Sequence, residues 1–225
     1  MQAEYLFLNL FILAGPVIFS FDREVRYVRH WPRALAAAGM AMIPFILWDT
    51  AVSGVHWYFN ERFTLPFRLM GLPPGEWLFF ITVPFACLFI WQIIVIRRPA
   101  RAAVQPVWIA VTAMLLVPAA GILILHHRIY AAIVCFFLIW NVFLDHVLNT
   151  HLLREGRTFL YMAIITGLIL IFNGYLTSRP VIVYNPEFIL NLRIWTIPVE
   201  DFGYGYSLIL LCTILYEKLR GKHHA

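Results

Sequence analysis

The sequence predicts an all-α integral membrane protein of about seven transmembrane helices, built as two parallel three-helix repeats plus a connecting helix. Three observations carry that prediction. The chain is 62% apolar and 13% charged, whereas soluble chains run near half apolar and about a quarter charged. Its mean hydropathy is +0.78, and the apolar residues fall into seven stretches near the length of about 20 residues that a hydrocarbon core requires. Finally, the chain matches itself at an offset of 125 residues.

The stretches lie at 4–20, 34–53, 76–96, 103–125, 129–148, 158–177 and 202–219. Pro16, Pro44, Pro84 and Pro118 fall inside four of them, which membrane helices tolerate because neighbours re-satisfy the freed backbone groups. The first stretch lacks the basic start and small-residue cleavage site of a secretory signal, so it is expected to remain as a span. Cys87, Cys135 and Cys212 all lie within spans, without metal-ligand spacing, and read as packing residues.

A net charge of +5 could point to nucleic acid, but the cations sit at helix ends, where they set orientation. Alternating the loops puts Arg23, Arg26, Arg29, Arg33, Arg97, Arg98, Arg101, Arg154, Arg157, Lys218, Arg220 and Lys222 on one side. Arg62, Arg68, Arg128, Arg179 and Arg193 fall on the other. The bias places the N-terminus outside and the C-terminus in the cytoplasm, in what is expected to be a bacterial inner membrane.

At the offset of 125, Arg68 meets Arg193, Pro73 meets Pro198, Cys87 meets Cys212 and Trp91 meets Tyr216. Glu76 meets Asp201, and Gln92 meets Glu217. Spans one to three map onto five to seven, and span four restores the chain direction, so the repeats are parallel. The expected division is 1–100 for the first repeat, 101–127 for the connector and 128–225 for the second repeat. Parallel repeats bring equivalent polar positions to one depth around a shared interior. The loops before spans three and seven are long and aromatic, with Trp57, Tyr58, Phe59, Phe63 and Phe67 in one and Tyr184, Phe188 and Trp195 in the other. Asn185-Pro186 between 181–184 and 188–194 predicts a short hairpin.

Ionisable groups placed in hydrocarbon are functional candidates. The segment Arg193-Ile194-Trp195-Thr196-Ile197-Pro198-Val199-Glu200-Asp201-Phe202-Gly203-Tyr204 enters the last span. Its counterpart, from Arg68 through Pro73-Pro74-Gly75-Glu76-Trp77-Leu78-Phe79, enters span three. Asp49 and Asn173 reach the same level. Plainer readings stand beside these. Proline followed by acids suits any helix start, and Asp49 could sit in interfacial water. Arg68 and Arg193 either mark the interface or hold a neighbouring carboxylate ionised. At the opposite end, Asp145 and His146 read as a structural network, with Glu217-Lys218 as a solvated helix end.

The motif Ile197-Pro198-Val199-Glu200-Asp201-Phe202, followed by an apolar helix ending Leu215-Tyr216-Glu217, resembles the signature of the heterodimeric-type, membrane-embedded lycopene cyclases. So does Leu72-Pro73-Pro74-Gly75-Glu76-Trp77-Leu78-Phe79-Phe80, and Trp48-Asp49 and Phe21-Asp22-Arg23 also fit. In that family a Pro-x-Glu-(Glu/Asp)-Phe motif occurs once per repeat, on separate subunits or in one fused chain. Gly75 departs from the pattern, standing where the first acid of copy one belongs. The resemblance therefore implies Glu200 and Asp201 as the catalytic acids with Glu76 assisting. Around them it implies a substrate site containing Asp49, Trp77, Phe79, Phe202, Tyr204, Arg68, Arg193 and Asn173.

The implied reaction closes the acyclic ψ-end of lycopene into a β-ionone ring by proton addition, ring closure and proton loss. It is an isomerisation without net redox, expected to need neither cofactor nor metal, and the chain carries no Gly-rich dinucleotide fingerprint. The expected partners are lycopene or a related C40 polyene and membrane lipid, with a homo-oligomer allowed and nucleic acid excluded. Among rivals, a retinal protein needs a lysine within a span, whereas Lys218 and Lys222 lie at the chain's end. A diiron hydroxylase needs converging histidines, and these are split between the two sides. A membrane prenyltransferase, echoed by Asn141-Val142-Phe143-Leu144-Asp145, lacks a second aspartate cluster. A transporter or scaffold stays open, to be separated by pigment analysis.

Overall fold

A chain immersed in hydrocarbon must satisfy its backbone polar groups internally, so each apolar stretch closes into a helix. The computed structural model describes residues 2–221, which leaves Lys222, His223 and His224 outside the described residues. The first repeat is α1 (Glu4–Phe19), α2 (Trp31–Val52) and α3 (Pro74–Arg97). After the connecting helix α4 (Pro106–Leu125) come α5 (Ile129–Val147) and α6 (Gly156–Leu168). A single π turn, Ile169–Asn173, carries α6 into α7 (Gly174–Ser178), and α8 (Val199–Arg220) ends the described fold.

Five of these rods are long and apolar enough to cross a membrane: Tyr27–Val52, Pro74–Arg97, Pro106–Leu125, Ile129–Val147 and Gly156–Ser178. Helix α1 is apolar but only 16 residues long. Helix α8 is polar for a span because acids open it, Glu217, Lys218 and Arg220 close it, and glycines and tyrosines follow its first turn. It occupies the middle of the bundle, against α2, α3, α5 and α6, with Ser207, Leu208, Ile209 and the following residues to Ile214 buried. A helix shielded from lipid by its neighbours needs no apolar outer face. Helix α4 shows the reverse: it packs on α5, and none of its side chains is buried.

The duplication is visible in the packing. Helix α1 lies on α3 as α5 lies on α8, and α2 bridges α3 and α8. At the arginine-rich end the repeats interlock crosswise. The Trp91 indole donates to Glu217 (2.8 Å), and the Tyr216 hydroxyl, its repeat mate, donates to Gln92 (3.1 Å). Arg157 covers the Trp91 ring at 5.2 Å and Arg33 covers Tyr216 at 5.8 Å. Glu217 is thus a partner in a repeat-to-repeat bond rather than simply a solvated helix end. Asp145 accepts from the Thr150 hydroxyl and the Leu152 and Leu153 amides, as a loop-fixing network does.

The loops at the other end depart from expectation. No hairpin forms between 181–184 and 188–194. Instead β1 (Trp57–Phe59) pairs antiparallel with β2 (Ile182–Tyr184), Trp57 opposite Tyr184, joining the two repeats. Residues past the turn are drawn elsewhere: Asn185 bonds the carbonyls of His56 and Val55, and Arg128 donates to the carbonyls of Pro186, Glu187 and Ile189. Each third helix is preceded by a tight turn of its own. One is bridged between Leu69 and Leu72; the other is the pair β3 (Arg193–Ile194) and β4 (Ile197–Pro198). The left-handed residues Met70 (φ 52) and Trp195 (φ 59) occupy equivalent corners.

Candidate active site

Both tight turns deliver a proline, Pro73 or Pro198, to the threshold of a helix, and the third residue of each helix is the acid that the offset pairs: Glu76 in α3 and Asp201 in α8. The orphan amides and dipole of a helix start favour a carboxylate there. Glu76 is 5% exposed, Asp201 6% and Asp49, from the end of α2, 2%. Acids are rarely this buried without dedicated partners.

Each has them. Glu76 accepts from the Tyr5 hydroxyl at 2.5 Å and lies in hydrogen-bonding reach of the Asp49 carboxyl. Asp49 also accepts from the Tyr204 hydroxyl at 2.6 Å. Asp201 accepts from three side chains: Tyr130 (2.8 Å), Asn173 (2.8 Å) and Tyr184 (2.6 Å). Tyr5 and Tyr130 stand 125 residues apart, so each repeat supplies a tyrosine from its first helix to the acid of its third. Asp49 and Asn173, 124 apart, come from the paired second helices, with the π turn presenting Asn173. Tyr184 lies outside the spans; burial foremost, then the charge of Asp201, pushes its hydroxyl well above the usual phenol range, so it remains a donor.

These groups line one end of a cavity of about 360 Å³. The rest of its wall is hydrocarbon, including Ile12, Val83, Ile90, Ile165, Leu168 and Leu208. From Glu76 to Ile90 the α3 wall rises about 21 Å, at about 1.5 Å per helical residue. Phe79, Tyr204 and Trp57 put aromatic surface beside the acids.

Six of the residues singled out from sequence therefore share the cavity: Glu76, Asp201, Asp49, Phe79, Tyr204 and Asn173. The others lie elsewhere. Glu200 is buried, but one oxygen accepts the Leu190 amide at 2.5 Å and the other has no partner among the described residues. Trp77 turns outward to donate to the Leu69 carbonyl, and Phe202 is buried off the cavity wall. Arg68 bonds Leu65, Phe67 and Thr64, and Arg193 bonds the Thr196 carbonyl and covers Tyr184 at 5.9 Å. Neither guanidinium meets a carboxylate among the described residues; their match across repeats reflects matched turns. Tyr5 and Tyr130 went unnoticed in the sequence, although the offset of 125 pairs them, because tyrosine in an aromatic-rich chain carries little weight alone.

The lycopene cyclase family model matches residues 2–94 and again 127–219. The chain belongs to the lycopene cyclase family. Both ends of the two matched segments are 125 residues apart, the offset read from the sequence. Membership makes this a fused two-repeat membrane enzyme of the lycopene cyclase type, and the family implies a carotenoid substrate. Comparison with curated proteins and with solved structures returns no match.

Gly75, the departure from the family pattern, has a packing reason. A Cβ there would lie 2.7 Å from the Tyr5 ring, and Asn9 donates to the Gly75 carbonyl at 3.0 Å. Tyr5 can reach Glu76 because the preceding position has no side chain.

Proposed function

We propose that this lycopene cyclase closes a ψ-end group to a β-ionone ring by acid–base catalysis, with the Glu76–Asp49 pair as acid and Asp201 as base. The observation that carries the reading is the chemical difference between the two stations at one end of an apolar cavity. Two carboxyls side by side in an apolar cavity are held most cheaply with a proton between them, which gives the pair a proton to donate. Asp201 instead accepts from three neutral donors, an arrangement that suits a carboxylate ready to receive one.

The steps balance without an outside reagent. The pair protonates the terminal double bond of the substrate, leaving a tertiary cation. The next alkene attacks that cation and forms the ring bond, the neighbouring ring carbon then loses its proton to Asp201, and that proton returns to the pair before the next turnover. The faces of Phe79, Tyr204 and Trp57 stabilise the passing cation by about 0.5–2 kcal/mol each. Glu200, by holding the Leu190 amide, fixes the loop over Tyr130 and acts on position rather than on the proton. In this reading the arginine-rich end faces the cytoplasm of a bacterial inner membrane, an orientation that the arginine bias supports.

The test is co-expression of the full chain with a lycopene-producing pathway. Wild-type protein yields cyclic carotenoid. Asp201→Asn at equal protein level lowers yield by about 10³-fold, within the usual span for removing a general base. Undiminished cyclic product from that variant rules the assignment out.

A further inference from the structure

The cavity is enclosed unequally. Helices α3 and α8 form its floor, and the β1–β2 pairing roofs the acid end through Trp57, Ile182 and Tyr184. The remaining walls are α1, through Tyr5, Ile12, Gly15 and Pro16, and the α6–α7 rod, through Ile165, Ile169, Phe172 and Leu176. Helix α1 packs on α3, and the α6 rod on α3 and α8, so a seam runs between two helices anchored to the same floor. Away from the acid end the wall residues on its two sides, Ile12, Ile165, Ile169 and Phe172, are apolar, and Phe11 and Ile171, next in sequence to Ile12 and Phe172, are exposed, a surface that only lipid suits. Gly15 thins the α1 side: a Cβ there would have nothing within 4 Å.

At the acid end the seam is clasped by side chains. Tyr175 of α7 donates to Glu4 of α1 at 2.5 Å, and Arg179 forms an ion pair with the same carboxylate at 3.0 Å. Arg179 rests on the Phe63 ring at 5.1 Å. Each arm of the clasp adjoins the site, since Tyr5 follows Glu4 and Leu176 follows Tyr175. Arg179 is half-exposed, and ion pairs open to water hold weakly, so this clasp can open and close.

We infer that the seam between α1 and the α6–α7 rod is the route by which a linear hydrocarbon enters the cavity sideways from the bilayer, with Glu4, Tyr175 and Arg179 as its clasp. The inference rests on the site reading above. An extended C40 polyene is comparable with the hydrocarbon core of about 30 Å, longer than the wall of about 21 Å set by the rise of α3. The unreacted arm therefore lies out through the seam while one end group sits at the acids.

The experiment uses the full chain in lipid nanodiscs, with Glu4→Cys and Arg179→Cys bridged by a bifunctional methanethiosulfonate reagent. Lycopene loaded before bridging is converted as in the unbridged variant, whereas lycopene added afterwards is converted at least about tenfold more slowly, as expected when a closure step gates loading. Reductant restores the rate. In parallel, Gly15→Phe slows conversion at low substrate while Gly121→Phe, on the lipid-facing α4, does not. Equal rates before and after bridging overturn the route, and so does a bridge that stops preloaded substrate as well. Failure of the unbridged variant to convert preloaded lycopene would instead count against the site reading.

Discussion

The two acid stations come from one duplicated plan and have diverged in chemistry. In the second repeat, Asp201 is ringed by neutral donors, Tyr130, Tyr184 and Asn173. In the first, the same helical position holds Glu76 with one tyrosine, and the second-helix amide is replaced by an acid, Asp49. Two exchanges, Asn173 against Asp49 and Tyr184 against Phe59, separate the two stations, and in the proposed reaction they distinguish the one that accepts a proton from the one that stores it. Duplication supplied the symmetric frame; the proposed reaction needs it broken, because its acid and base must differ when the cycle begins.

The sharpest way to break the comparison is to remove proton storage in two steps. In Glu76→Gln the proton stays on Asp49, and in Asp49→Asn it stays on Glu76, so each single variant loses activity by about 10²-fold. The double variant has no acid left and falls about 10⁴-fold, more than Asp201→Asn. Initial rates of cyclic product in nanodiscs check this. If the double variant matches either single one, the two acids do not act as a pair.

A smaller effect separates the tyrosines. Tyr130→Phe or Tyr184→Phe removes a charge-assisted bond to the base, worth about 1.5–3 kcal/mol, and lowers turnover by about 10- to 10²-fold. Tyr5→Phe, beside an acid that shares its proton with Asp49, lowers turnover only about threefold. Equal losses at Tyr5 and Tyr130 would make the stations equivalent and remove the basis for telling acid from base.

The fold was legible because hydrocarbon leaves the backbone few choices, and so hydropathy and the offset of 125 give the helices and their pairing. The candidate site was legible where polarity marked it: Glu76, Asp201 and Asp49 stand out against apolar surroundings and share one cavity. What stayed hidden depends on direction rather than composition. Glu200 and Asp201 are neighbours in sequence, yet successive helical residues point about 100° apart, so one meets the cavity and the other the loop at Leu190. Arg68 and Arg193 could be read as interface markers or as partners of a carboxylate, and what recurs is the turns they tie. The pairing of β1 with β2 joins segments more than a hundred residues apart, which no local turn signal at Asn185-Pro186 could announce.

Glu200 gives the smallest expected effect and the finest test of that difference in direction. Its carboxyl accepts the Leu190 amide at 2.5 Å, and the amide oxygen of glutamine does the same work. Glu200→Gln should therefore keep cyclic product within about threefold of wild type and alter stability by about 1 kcal/mol or less. Glu200→Ala leaves the Leu190 amide without its acceptor, at a cost of about 1–3 kcal/mol, and loosens the loop whose Phe188 carbonyl receives the Tyr130 amide. The alanine variant should lose thermal stability first and activity second, with the glutamine variant rescuing both. Were Glu200→Gln as inactive as Asp201→Asn while equally well folded, the proton would have to pass through the neighbour that faces the loop, and the division between the two stations would need redrawing around it.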